Sequence, residues 1–179
     1  MNVIYDIGSN NGDDLRYYLL KANKVVAVEA NPMLCEKISA TFPREIQSGK
    51  LVIENCAITD KLSGIVDFYI NTKNHVLSSL ILPSQQNKDE WQSIPIEAMP
   101  VSQLIRKHGE PYYIKIDIEG YDEAILSALS ELGTKPPYIS AESHTLGVFT
   151  LLSERLGYES FKLVDGHSVS KLYSKRRIF

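Results

Sequence analysis

Val3-Ile4-Tyr5-Asp6-Ile7-Gly8-Ser9-Asn10-Asn11-Gly12-Asp13-Asp14 decides the fold of this 179-residue chain. It starts as a buried strand, tightens into a glycine turn and runs into a helix whose apolar face is Leu15, Tyr18, Leu19 and Ala22. A second apolar run, Lys24-Val25-Val26-Ala27-Val28, ends in Glu29. Strand, glycine turn, helix and a second strand ending in an acid make an adenosine-binding unit.

Working outward, strand-like runs alternate with helical patterns, which argues for an α/β fold with a mostly parallel sheet. The runs are 3–8, 24–29, 51–58, 112–118, 138–142 and 160–165, with 172–176 as a last edge strand and 66–70 as an extra strand after the third. The first, second and fourth are nearly continuous in apolar residues, as strands covered on both faces should be. Helical faces follow: Leu34, Ile38 and Phe42 before Pro43; a helix over 102–108 stopped by Gly109; Ile125, Ala128, Leu129 and Leu132; and Phe149, Leu152 and Leu156 before Gly157. Residues 71–97 are polar and weakly periodic, and read as a surface insertion overhanging the pocket. In it, Trp91 is read as packing, with sugar stacking as the alternative. No repeat or linker divides the chain, so 1–179 is expected to be a single domain.

Composition removes whole classes of function. A formal net charge of −3 argues against broad nucleic-acid binding, and the basic cluster between Lys171 and Arg177 reads as a solvated edge strand. No apolar run is long enough to span a bilayer, and strand-like sequence follows Met1-Asn2 at once, leaving no room for a signal peptide. Cys35 and Cys56 lack metal or redox spacing and are expected to be reduced, buried thiols in a cytoplasmic protein. His75, His108 and His167 lack ligand spacing and are read as surface or loop residues.

The glycine turn carries the first chemistry. Gly8 and Gly12 are expected to let the backbone pass close to a ligand that a Cβ would strike. Their G-x-x-x-G spacing is not the G-x-G-x-x-G of nicotinamide dinucleotide sites. A dinucleotide would bring its pyrophosphate against Asp13 and Asp14, whereas the sulfonium and ammonium of S-adenosylmethionine suit those carboxylates. Helix-dipole complementation is the other reading of the pair. Asp6 is expected to receive the donor's ammonium, directly or through water. Glu29, 21 positions after Gly8, stands where an acid meets the ribose diol. Asn55-Cys56-Ala57 would then lie near the adenine.

The second constellation is Lys115-Ile116-Asp117-Ile118-Glu119-Gly120. Period 2 sets Lys115, Asp117 and Glu119 on one side of a strand, with both acids toward its carboxyl end, where open α/β sheets bind ligands. Glu142-Ser143-His144 ends the fifth main strand. If these strands are neighbours, the acids and the histidine converge.

The chain resembles the FkbM family of S-adenosylmethionine-dependent methyltransferases, whose pattern is D-x-G-x-N-x-G, then V-x-x-x-E-x-N-P, then K-I-D-x-E-G. Here these are Asp6 to Gly12, Val26-Ala27-Val28-Glu29-Ala30-Asn31-Pro32 and Lys115 to Gly120. Weaker echoes are Ser78-Ser79-Leu80, the stretch from Pro136 to His144, and Leu156-Gly157-Tyr158. The resemblance implies a seven-stranded Rossmann-like sheet with one antiparallel strand and helices on both faces. It also implies O-methylation of a sugar, glycan or natural-product hydroxyl. Donor-binding positions carried over are Asp6, Gly8, Ser9, Asn10, Gly12, Glu29, Ala30, Asn31, Ala57 and Asp117.

Methyl transfer to an alcohol needs an in-line nucleophile and a base within reach. His144 is the first candidate base because imidazole titrates near neutrality, with Asp117 and Glu119 as rivals and Lys115 as their salt-bridge partner. A divalent metal held by Asp117, Glu119, Glu142 and His144 is a variant that is not favoured. Two other classes stay open: a non-catalytic donor-binding domain of the same fold and, further off, an NAD-dependent oxidoreductase.

Overall fold

A computed structural model describes residues 2–81, 88–143 and 145–164. Its centre is a five-stranded, wholly parallel sheet built from β1 (Val3–Ile7), β2 (Lys24–Val28), β3 (Leu51–Glu54), β7 (Tyr113–Ile116) and β8 (Tyr138–Ala141), in the order β3-β2-β1-β7-β8. A second sheet joins β4 (Ala57–Thr59), β5 (Gly64–Asn71) and β6 (Trp91–Pro100) in the order β4-β6-β5. The helices are α1 (Leu15–Lys21), α2 (Pro32–Thr41), α3 (Pro43–Gln47), α4 (Val101–His108), α5 (Asp122–Glu131) and α6 (Leu146–Thr150), the last continued by a π turn over Leu151–Arg155.

Alternation along β1 explains the two cores. Ile4 joins Val25, Ala27, Leu51 and the inner faces of α1 and α2. Val3, Tyr5 and Ile7 point the other way, into a core with Leu104 of α4, Ile125 and Leu129 of α5, and Val148 of α6. Sheet faces covered by helices on both sides bury every residue of β1, the expectation for an apolar parallel strand. Leu15, Tyr18, Leu19 and Ala22 are all buried, as their spacing requires. Leu132 and Phe149 are exposed instead, and Val148 takes the buried place near the latter.

Several expectations change. The run 51–58 is two strands in two sheets, because Asn55 breaks it: its Nδ2 donates to the carbonyls of Glu29 at 2.9 Å and Ala30 at 3.1 Å. Residues 91–97 are not insertion but the first part of β6, paired antiparallel with β5 from Trp91↔Asn71 onward. Pro95 hid that strand from the sequence; it is tolerated because β4 runs beside only Ala98–Pro100. Residues 160–164 form no strand, and Leu163 is exposed; apolar alternation there supplies the period of a strand without a covered face. Residue 165, the edge strand at 172–176, His167 and the basic cluster lie outside the described residues. The expected seven-stranded sheet is thus five-stranded among the described residues.

Both cysteines are free and buried. His108 is no surface residue. Its imidazole is 5% exposed, with Nε2 2.6 Å from Glu54 Oε1 and Nδ1 3.0 Å from Lys24 Nζ. Burial lowers its proton affinity, Lys24 lowers it further, and Glu54 opposes both. No described helix is long and apolar enough to cross a membrane.

Candidate functional site

The chain leaves β1 for β2 on one side and later returns to β7 on the other, so β1 flanks the switch point where open α/β sheets bind ligands. A pocket opens there, above the carboxyl ends of the strands. One wall is Gly8, Ser9, Asn10 and Asn11 with Asp13 and Asp14, and the next is Glu29 and Ala30. The apolar end is Leu34, Cys56, Ala57, Ile58 and Phe68; Lys115, Asp117, Ile118 and Glu119 close the other side.

Glu29 is the joint of the first two walls. Its Oε2 accepts the Asn10 N–H at 2.7 Å and its Oε1 the Asn31 N–H at 2.8 Å. Asn31 also caps α2 by accepting the Met33 N–H. The side chain is buried, which pushes its carboxyl up to about 7; the two backbone donors work the other way. Each oxygen keeps acceptor capacity toward the pocket.

The turn itself is held by Gly8 N–H and Ser9 N–H, both donating to Val28 O at 3.0 Å, and by Ser9 Oγ donating to Asp6 O at 2.8 Å. Asn10 adopts φ +50°, and its Oδ1 is buried without a hydrogen-bond partner. The glycines have a different reason from the one expected. A Cβ on Gly8, at φ +83°, would lie 1.9 Å from Asp117 O, so glycine is needed for the approach of β7's end rather than of a ligand. A Cβ on Gly12 would press on Leu15 and Ile38, where α1 meets α2.

Asp6 lies under the pocket, not on its wall, because its side chain leaves β1 toward the sheet face it shares with Lys115. There Lys115 Nζ sits 3.4 Å from Asp6 Oδ1 and 3.1 Å from Asp117 Oδ2, and it donates to Gly8 O at 3.2 Å. Burial pushes the Asp6 carboxyl up to about 6 despite the ammonium. Burial disfavours the Lys115 charge, yet Asp6 and Asp117 outweigh it and raise its pKa to about 12. Lys115 is the expected salt-bridge partner of the acids.

Asp117, Glu119 and Glu142 come together as expected, each offering a carboxylate oxygen within 4.8 Å of the others. His144 lies outside the described residues. Of the carried-over donor positions, Gly8, Ser9, Asn10, Glu29, Ala30, Ala57 and Asp117 line the pocket, while Asp6, Gly12 and Asn31 stand behind it.

Of the segment between β5 and β6, described residues do overhang the pocket. His75, Val76, Ser78 and Leu80 line the pocket, and Ser79 Oγ donates to Glu119 O at 2.8 Å. Trp91 stays off the wall, half-buried at the start of β6. His75 and Phe68 were not legible as pocket residues. Their placement depends on the β5–β6 pairing, and only the Ser78-Ser79-Leu80 echo marked that segment.

Comparison with known proteins gives a family and a similar fold. The family model described as methyltransferase FkbM domain matches residues 6–158. No curated protein gives a significant match. The crystal structure of methyltransferase FkbM from Methylobacillus flagellatus KT is similar in fold, with a TM-score of 0.53 at 14% identity over 87% of this chain. This chain spans 36% of that protein's length. From Asp6 at the head of the glycine turn to Tyr158, the chain belongs to the FkbM methyltransferase family.

Proposed function

We propose that the protein transfers a methyl group from S-adenosylmethionine to a hydroxyl of a sugar, glycan or natural product. One observation carries the reading: Glu29, pinned by the Asn10 and Asn31 N–H groups, is a carboxylate on the pocket wall, and a ribose diol needs acceptors of that kind. The unpartnered Asn10 Oδ1 adds an acceptor for a ligand hydroxyl or ammonium. Asp13 and Asp14 on the same wall suit a cationic donor and repel a pyrophosphate.

The bound donor supplies an electrophilic methyl group. This chain's residues have to align the acceptor oxygen and take up its proton. Lys115 holds Asp117 in place at 3.1 Å, which leaves Asp117 and Glu119 on the wall as groups able to orient or deprotonate a hydroxyl. His144 remains a candidate base on sequence grounds. Calorimetry with S-adenosylhomocysteine and, in parallel, NAD tests the reading. Binding of the first supports it; a response to NAD alone overturns it. Binding without transfer to a panel of sugars and polyols favours a non-catalytic donor-binding domain.

A second reading rests on the convergence of Asp117, Glu119 and Glu142. Three hard oxygen ligands could hold a divalent cation that orients an acceptor diol. Activity that survives a chelator removes it.

A further inference from the structure

Two histidines fall among the described residues, and their rings are used differently. Both nitrogens of the His108 imidazole are engaged, by Glu54 and by Lys24. The His75 side chain makes no hydrogen bond or ion pair among the described residues, yet the residue lines the pocket. Its place there is built by the loop that carries it. Tyr69 and Ser79 exchange backbone hydrogen bonds at 2.9 and 3.0 Å, which closes the residues between them into a loop on the end of β5. Inside it Asn71, 5% exposed, accepts the N–H groups of Lys73 at 3.0 Å and Asn74 at 2.9 Å on Oδ1. Lys73, the one charged residue of the loop, is tied to Glu90 at 2.6 Å. The Ser78 N–H donates to His75 O at 3.2 Å, so His75 stands one tight turn from Ser78. The next residue, Ser79, donates to Glu119 O at 2.8 Å. That chain of contacts sets His75 beside the Asp117–Glu119 wall, where an acceptor has to meet the donor's methyl group.

We infer that His75 is the general base of the transfer, taking the proton of the acceptor hydroxyl while Asp117 and Glu119 orient that hydroxyl. The inference rests on the methyl-donor reading. The hydroxyl oxygen bonds to the methyl carbon as the carbon–sulfur bond breaks. The bonding pair goes to sulfur, and the hydroxyl proton passes to a ring nitrogen of His75. An imidazole suits this step better than a carboxylate, because its ordinary range lies near neutrality and a carboxylate's lies well below. Asp117 moreover shares its charge with Lys115 at 3.1 Å, whereas the His75 ring has no competing partner. His75 is also exposed, which lets it return the proton to water between turnovers. The charged groups that line the pocket with it are Asp13, Asp14, Glu29, Lys115, Asp117 and Glu119.

Turnover, read as S-adenosylhomocysteine formed from S-adenosylmethionine over a panel of sugars and polyols, tests this across the neutral pH range on the wild type, His75→Gln and His75→Ala. Calorimetry supplies each protein's affinity for S-adenosylhomocysteine. His75→Gln should lower kcat about a hundredfold or more, the usual worth of a general base, and remove the acid limb of the wild-type profile. Affinity for S-adenosylhomocysteine should stay within about twofold, which also shows that the variant is folded. Added imidazole should restore part of the His75→Ala turnover, a rescue that a merely structural role would not give. Near wild-type kcat in His75→Gln, or an acid limb that survives the substitution, overturns the inference. So does a loss of turnover that tracks weakened donor binding and resists imidazole. A wild type that binds S-adenosylhomocysteine but transfers to no panel member favours the non-catalytic domain and overturns this inference alone. Binding of neither ligand overturns the methyl-donor reading and this inference with it.

Discussion

Glu29 Oε2 accepts the backbone N–H of Asn10 at 2.7 Å, so the acid ending the second strand fixes the turn that ends the first. Its other oxygen binds Asn31 N–H, so one carboxylate serves the turn, the start of α2 and the pocket. Glu29→Ala leaves two backbone donors without their acceptor. A loss of about 2 kcal/mol in stability is expected from such unsatisfied groups. Affinity for S-adenosylhomocysteine should fall about tenfold or more, since two diol hydrogen bonds go as well. Glu29→Gln, which keeps one acceptor, should fall between. Calorimetry and denaturant melts measure both effects.

The proton on Glu29 gives donor binding a pH dependence. Its carboxyl is pushed up to about 7 in the free protein, and diol hydroxyls donating to the carboxylate would lower that value in the complex. Below about pH 7 the free protein therefore holds a proton that binding must expel. Affinity for S-adenosylhomocysteine should rise with pH up to that point and level off above it, by at most about tenfold per unit. Calorimetry in buffers of different ionisation enthalpy should show proton release on the rising limb. Flat affinity from pH 5.5 to 8 sinks the assignment.

Gly8 and Gly109 separate two costs of adding a methyl group. Both have positive φ, but only at Gly8 would the Cβ strike backbone, at 1.9 Å from Asp117 O, whereas nothing lies near Gly109. Gly109→Ala, at φ +92° and ψ 174°, should cost about 1–3 kcal/mol in conformational strain alone. Gly8→Ala should cost more than about 3 kcal/mol, because β1 and β7 must part. Equal melting losses would show that the strand ends are not in contact there.

Lys115→Met tests the ion pair under the pocket. Asp6 is 1% exposed and would lose its cation, at a cost of about 2–3 kcal/mol at pH 8. The Asp6 carboxyl, about 6 with the lysine present, rises further without it. The penalty is therefore full above that pKa and shrinks as pH falls through it, because protonation removes the stranded charge. Denaturation at pH 8 and at pH 5 should show the difference narrowing at the lower pH.

The pocket wall proposed to hold the donor was legible as a unit because its spacing is local. Gly8, Asn10 and Glu29 fall at fixed offsets along one strand–turn–helix–strand unit, and period 2 alone set Lys115 beside Asp117. What the sequence hid depends on long-range pairing. Asn55 splits one apolar run between two sheets, and Pro95 disguises a strand that brings His75 and Phe68 to the pocket. The reason for Gly8 was hidden too, since it lies more than a hundred residues away at Asp117. His108 looked like a helix-end surface residue because its partners, Glu54 and Lys24, come from two other strands.

The most direct test of the donor site is a crystal structure with S-adenosylhomocysteine bound. The expected result has the ribose hydroxyls hydrogen-bonded to Glu29 Oε1 and Oε2, the base against Ala57 and Phe68, and the sulfur facing the Asp117 side. A ribose that makes no contact with Glu29, or a ligand bound outside this pocket, would contradict it.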